Sequence, residues 1–293
     1  MLSLRCWLIC ATAASIVVCA GCTRWLDTKT GNSPLAPLVS APDSVHLEIV
    51  FVRYLAGDAT LDTDLWARVD EQQLPYETRL RLNENGFRVG VIDSQLPPEV
   101  EKRLRLTDRP QETETRLKAD DLENESPVKQ RSLQVRAGRP TKIICTGEQQ
   151  KHAEMSVLIR GANNEVTGKT YRKAAGLFAA RAWPEGDGRV RLELVPELEH
   201  GEPQRRYDPS DGMLRVDFGP PKEKYELLTI DAKLAPGQMI LVAAIPGKVG
   251  SLGYQYFTEP DNDRKQQKLL LVRVAGTSHD DSFTSETIAK ASD

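Results

Sequence analysis

Beyond residue 22 this chain of 293 residues has one cysteine, Cys145, and in all it has four histidines, His46, His152, His200 and His279, far apart in sequence. A lone thiol excludes an intramolecular disulfide, so whatever folds after residue 22 stands on its own apolar core. The scattered histidines offer no two-histidine metal spacing, and neither a metal nor a cofactor is expected. Positive charge is also scarce, with 39 Lys and Arg against 42 Asp and Glu and a net charge of −3. That balance excludes nucleic acid as the main partner, because phosphate recognition needs an excess of cations, and it gives no basic patch for a membrane surface. The chain is still 40% hydrophobic and 28% charged, enough apolar material for one large or two small cores.

The N-terminus "MLSLR" carries one positive charge and leads into "CWLICATAASIVVCAG", an uncharged stretch of 16 residues. A spanning helix needs roughly 20 such residues, whereas an export signal needs only a short apolar core and small residues near the cut. Ala20 and Gly21 are those small residues. Three fates are open: lipidation, cleavage as a secreted protein, and retention as an uncleaved anchor.

The tetrapeptide "CAGC", residues 19 to 22, resembles the bacterial lipoprotein signal, with Cys19 where that family prefers Leu. The resemblance implies that the Cys22 thiol takes a diacylglyceryl thioether, that the peptide is cut before it, and that the new N-terminus is acylated. Several acyl chains on one residue give stable anchoring, since each buried CH₂ contributes roughly 0.8 kcal/mol. Residues 1 to 21 are then a signal peptide, and residues 22 to 44, rich in Pro, Ser, Thr and Gly, a flexible tether. Thr23 is not the Asp that in related envelope lipoproteins marks inner-membrane retention, so the resemblance implies the outer membrane, facing the periplasm.

From residue 45 the pattern predicts a small α/β module reaching residue 106. "VHLEIVFVRYL" reads as a strand, and "LDTDLWARVDEQQ" as a helix with Leu61, Leu65 and Val69 on one side and Asp62, Thr63 and Asp64 at its start. "LPYETRLRLNENGFRVGVID" allows two readings: a helix from Pro75 closed by Asn85 and Gly86 before a strand, or a hairpin turning at Asn85-Gly86. "SQLPPEVEKRLRL" reads as a further short helix. The order resembles small periplasmic α/β domains of envelope secretion machinery.

Residues 107 to 131 lose apolar periodicity and read as a charged linker. From 132 to 276 the period becomes two. Short segments such as "SLQVRAG", "EMSVLIRG", "GLFAARAW", "RVRLELVPEL", "MILVAAI", "SLGYQYF" and "KLLLVRV" are separated by turn signals at Asn163-Asn164, Gly186-Asp187-Gly188, Asp211-Gly212 and Pro236-Gly237. Val190, Leu192 and Leu194 alternate with Arg189, Arg191 and Glu193, one face for a core and one for water. The expected class is α+β, a small α/β module followed by an all-β sandwich-like domain, with a polar tail at 277 to 293. "WPEGDGRVRLELVPELEHGE" and "LAPGQMILVAAIPGKVGSLGYQYF" followed by "KLLLVRV" resemble the C-terminal region of outer-membrane secretins in their glycine turns and apolar strands.

Chemistry is sparse. "VGSLG" around Ser251 has Val249 where a nucleophile elbow needs Gly, and Lys248 is followed by Val249 where a phosphate loop needs Ser or Thr. Cys145 in "KIICTG" reads as a buried structural thiol. Glu197, Glu199, His200 and Glu202 form the one compact titratable cluster, and spacing by two places Glu197 and Glu199 on one strand face. The reading is a lipid-anchored envelope protein with a structural or protein-interaction role, without catalytic residues, bound to membrane through its anchor, with Tyr254, Tyr256 and Phe257 as the candidate surface for an envelope protein partner and core packing as the alternative place for Tyr254 and Tyr256, which share a strand face. Its alternatives are a lipid-anchored hydrolase acting on envelope polymer or lipid, and a secretin-associated secretion component.

Overall fold

The strand β1, Ser44–Leu55, sorts its side chains into two different cores. Val45, Leu47 and Ile49 pack into one, and Val50, Val52 and Tyr54 into the other. A strand buried on both faces belongs in the middle of a sheet that is itself covered on both sides. The coordinates are a computed structural model describing residues 43–94, 101–102, 128–146, 154–208, 215–261 and 264–278. The expected signal peptide, Cys22, nearly all of the tether, the linker up to residue 127 and most of the polar tail lie outside the described residues.

After β1 come α1 (Tyr76–Glu84), β2 (Phe87–Ile92), β3 (Val128–Arg136), β4 (Thr141–Ile144), β5 (Glu154–Arg160) and β6 (Val166–Arg172). β7 (Ala175–Pro184) and β8 (Val190–Glu199) form a long hairpin, followed by β9 (Gln204–Asp208), β10 (Arg215–Gly219), β11 (Lys222–Lys224) and β12 (Ile230–Leu234). β13 (Met239–Ala244), α2 (Leu252–Phe257), β14 (Thr258–Asp261) and β15 (Arg264–Ser278) complete the order. The first sheet runs β2-β13-β15-β1-β3 with β14 also on β15, and the second runs β11-β8-β7-β4 with β12 also on β8. The strand pairs are antiparallel, and the architecture is α+β, mainly β and sandwich-like.

The larger core fills the space between the sheets. Leu270, Val272, Val274, Ile240 and Val242 from the first sheet meet Phe178, Ala180, Leu192, Leu194 and Ile230 from the second. Leu241, Leu269 and Leu271 face the other way and pack with Leu61, Leu65 and Trp66. This double burial explains why "MILVAA" and "LLLV" are continuous apolar runs, whereas β8, with solvent on one side, alternates.

Three expectations change. First, the two predicted modules are not separate: β1 pairs with both β15 and β3, β2 pairs with β13, and Ala41–Asp293 is one compact unit. The linker's end, Val128 to Arg131, already belongs to β3. Second, "LDTDLWARVDEQQ" forms no continuous α-helix but a π turn at Thr60–Asp64 and 3₁₀ turns at Trp66–Arg68 and Glu71–Gln73. The chain enters that segment through Asp58, whose carboxylate accepts from the Thr60 N–H at 3.1 Å and whose carbonyl accepts from Asp62 N–H at 2.8 Å. Val69 then leaves the helical region with ψ of 126°, so the segment breaks before a regular helix is established. Third, "LGYQYF" is the helix α2 and not a strand.

Of the two readings around Asn85-Gly86, the helix-then-strand one is present. α1 ends at Asn85, and Gly86 takes φ of +84°. Gly86 is required twice over, because a Cβ there would also lie 1.9 Å from Ser251 Oγ.

Candidate functional site

Tyr254, Tyr256 and Phe257 are the candidates for docking through an edge strand or apolar loop, with core packing as the alternative; the structure places them on α2. Ser251 caps that helix, its hydroxyl accepting from the Tyr254 N–H at 3.3 Å. Period two in the sequence is replaced by a short turn of helix that sends Tyr256 and Phe257 inward, both 0% exposed. Both rings pack edge-on with Phe87, the Phe87 and Tyr256 centroids 5.5 Å apart, and against Phe178 Tyr256 is edge-on while Phe257 is tilted at 32°. The Tyr256 hydroxyl donates to the Glu197 carbonyl at 2.5 Å, and Gly176 lets the ring approach: a Cβ there would sit 2.4 Å from it. Only Tyr254 is partly exposed, with Lys265 Nζ 5.6 Å from its ring. Tyr256 and Phe257 are core and Tyr254 is partly exposed, so the three do not form one binding surface.

The acidic cluster at the end of β8 is divided. Glu197 and Glu199 do share the outer face of the second sheet, as their spacing predicts. Glu199 bonds Lys142 at 2.7 Å and lies 3.5 Å from Lys222, which stands 3.9 Å from Glu197. Glu202 pairs with Lys173. His200 instead stacks on Tyr171, ring centroids 5.0 Å apart. Beside it, Glu223 accepts from Lys169 Nζ at 2.5 Å and from the Tyr171 hydroxyl, which lies 3.4 Å from the Tyr225 hydroxyl. Burial pushes the Glu223 carboxyl upward, but Lys169, the Tyr171 hydroxyl and nearby His200 outweigh it and hold the group below its ordinary value. Burial and the carboxylate together raise Tyr171, and burial raises Tyr225 to about 12.

This second cluster was missed in the sequence because Tyr171, Glu223 and Tyr225 come from β6, β11 and the turn after it, strands too polar or too short for hydrophobic periodicity to mark. The alternation of "KEK" was the available signal, sending Glu223 to one face and Lys222 and Lys224 to the other. Cys145 is buried, and burial raises its thiol to about 12 although Lys268 opposes the rise, which is the behaviour of a structural cysteine. His46 bonds the Ser278 hydroxyl at 2.8 Å; His152 and His279 lie outside the described residues. Among the described residues no group of three or more His, Cys, Asp or Glu side chains is placed to hold a metal ion, and no helix is long and apolar enough to cross a membrane.

Apolar exposure concentrates elsewhere. β5 and β6 form their own two-stranded sheet, as do β9 and β10. Leu158 on β5 and Val166 on β6 are 51% and 55% exposed, and Leu158 N–H bonds the carbonyl of Gly250, next to Val249 at 63% exposure. Phe218 on β10 is 69% exposed.

No family model and no curated protein matches this chain. Among solved structures it is similar to the secretin InvG of the Salmonella SPI-1 type III secretion injectisome, at 12% identity over 86% of this chain and 70% of that one, with a TM-score of 0.23. It is also similar to the type II secretin GspD of enteropathogenic Escherichia coli, at 14% identity over 87% of this chain and 74% of that one, with a TM-score of 0.22. These are members of the family that the C-terminal sequence pattern resembles, but at such scores the likeness carries nothing about this chain's fold or function.

Proposed function

We propose that this chain is a lipid-anchored protein of the bacterial outer membrane, facing the periplasm, with a structural or protein-interaction role. The observation that carries the anchor is "CAGC", closing an uncharged run and placing Cys22 about twenty residues before β1. That spacing gives the folded unit a tether from the lipid. The interaction role is supported by Leu158 and Val166, large apolar side chains left in water on a hairpin outside the two main sheets, and by exposed Val249 in the turn that this hairpin bonds. Cys22→Ser should abolish incorporation of labelled fatty acid and release the chain from the outer-membrane fraction. Labelling of the mutant at the parent level would show that the acylated residue is a different one.

A further inference from the structure

The hairpin of β5 and β6 has one closed edge and one open edge. On β5 the outward backbone groups are taken: Leu158 N–H bonds the Gly250 carbonyl at 2.7 Å, Gln255 bonds the Ser156 carbonyl at 2.8 Å, and the Asn85 side chain bonds both the N–H and the carbonyl of Arg160. Ser156, Leu158 and Arg160 stand opposite Thr170, Gly168 and Val166. In an antiparallel ladder, two opposite residues either exchange their bonds or both turn their groups away. The N–H and C=O groups of Val166, Gly168 and Thr170 therefore face away from β5, and among the described residues none of them has a backbone partner. Strands β3 and β14, which also pair on one side only, carry Lys129 and Arg131 or Pro260, residues that discourage further pairing. On β6 the one lysine, Lys169, is held by Glu223, and the open edge carries exposed Val166 with Leu158 behind it.

We propose that this edge pairs with β6 of a second copy of the chain, antiparallel, with the two Gly168 residues opposite each other. Val166 of each copy then stands opposite Thr170 of the other, and each of these opposite pairs exchanges two backbone bonds, so every outward group of the edge is matched. The edge ends there, because the Arg172 carbonyl already accepts from the Gly201 N–H at 2.9 Å. In this register Lys169 faces Thr167 and Arg172 faces Asn164, and no like charges oppose. Sliding one way would set the two Lys169 residues against each other, and sliding the other way would move Thr170 out of the strand pairing. Gly168 leaves the centre open, and Leu158 leans over it, 3.4 Å from where a Cβ would stand. Leu158 and Val166 of both copies then form one apolar stripe across the joined sheet. A surface that complements itself about a twofold axis selects its own copy over an unrelated strand. The proposal rests on the protein-interaction reading and names its partner.

Mild oxidation of membranes carrying the full-length protein tests the register. Gly168→Cys should give a disulfide-linked dimer, because opposite residues of a hydrogen-bonded pair stand about 5.5 Å apart at Cα, within disulfide reach. Thr170→Cys alone should give none, its two copies lying roughly 13 Å apart along the strands, whereas Val166→Cys and Thr170→Cys chains expressed together should be joined. The parent, whose one cysteine beyond residue 22 is buried, is the blank. Gly168→Pro removes an N–H that β5 does not use, so carried by both of the coexpressed chains it should abolish their link without moving the urea midpoint. If that variant does not fold, the pattern among the cysteine variants decides. No dimer from Gly168→Cys, or equal yields from Gly168→Cys and Thr170→Cys, overturns the proposal. A photocrosslinker at Val166 that joins the chain only to a different protein overturns the self-pairing and leaves the interaction role standing.

Discussion

Tyr256 shows how little an aromatic residue's place in a sequence says about its place in a fold. Tyr254 and Tyr256 are two apart in an apolar stretch, the spacing of one strand face, yet one is half in water and the other closes the core against Phe87, Phe178 and Phe257. What separates them is local: Gly250 at φ of +81° turns the chain, and Ser251 caps a helix one residue later. Truncating the buried ring removes its packing and strands the Glu197 carbonyl. Tyr256→Ala should therefore cost about 3–5 kcal/mol, Tyr256→Phe about 1 kcal/mol for the lost hydrogen bond, and Tyr254→Ala less than about 1 kcal/mol. Urea unfolding of the three variants reads this order directly. Equal losses in Tyr254→Ala and Tyr256→Ala would contradict the assignment of Tyr256 to the core.

Among the elements, the hairpin of β5 and β6 combines a fixed base with an exposed apolar face. Asn85, 1% exposed, clasps its edge: the side-chain amide donates to the Arg160 carbonyl at 3.1 Å and accepts from the Arg160 N–H at 2.8 Å, as a neighbouring strand would. Gln255 on α2 bonds the Ser156 carbonyl at 2.8 Å, and Leu158 makes an isolated bridge to Ser251. Leu158 and Val166 lie on one face of the ribbon, because Leu158 pairs with Gly168 and Arg160 with Val166. Such a face is held in place without being covered by the strands around it, which suits contact with another protein. A photocrosslinking residue at Val166 should give a discrete adduct in intact cells. Leu158→Asp should abolish that adduct while changing stability by no more than about 0.5 kcal/mol. An absent adduct, or one indifferent to Leu158→Asp, would argue against this hairpin as the docking face.

The elements that were legible in the sequence are those whose apolar residues keep a period. β1, β2, β7, β8, β13 and β15 were readable, as were the turns at Asn164, Gly188 and Gly237, each with positive φ. β6, β9 and β11 were not, since "VTGKTYR", "QRRYD" and "KEK" are polar strands whose pairing is set by neighbours rather than by a buried stripe. Nor does local pattern say that β1 sits between β15 and β3, because both partners are far along the chain and a period describes only one strand at a time. The candidate site suffered most. Glu197 and Glu199 were visible as a pair, but their cations, Lys142 and Lys222, lie on two other strands.

At the scale of the whole molecule, burial of phenols and of a thiol links stability to alkaline pH. Tyr54 in the outer core, and Tyr171, Tyr225, Tyr256 and Cys145 in the inter-sheet core, all titrate above their ordinary values, and in each the leading cause is burial. Cys145 moves from 9.0 and Tyr225 from 10.0, each to about 12. In that interval the unfolded chain has released protons that the native chain retains, so the unfolded state binds fewer and stability falls as pH rises. The stabilisation is complete below pH about 9, and each raised group removes about 1.4 kcal/mol per pH unit once its unfolded form has titrated. Lys268 works in the opposite direction. It is buried, hydrogen-bonded to Glu259 at 2.6 Å and to the Cys145 carbonyl, and desolvation lowers its value from 10.5, so its own contribution rises as pH approaches that value. Lys248, lowered by burial as well, acts in the same direction, and two opposing groups do not offset five. In a protein carrying Tyr76→Phe, Tyr207→Phe and Tyr254→Phe, whose remaining tyrosines are the buried Tyr54, Tyr171, Tyr225 and Tyr256, urea midpoints should hold steady up to pH about 9 and then drop steeply, with tyrosinate absorbance appearing together with unfolding and not before it. Removing the thiol with Cys145→Ala should make the first part of that drop shallower. Tyrosinate absorbance rising smoothly through pH about 10, while the protein remains folded, would show that these phenols are open to water and that the two cores are not packed as described.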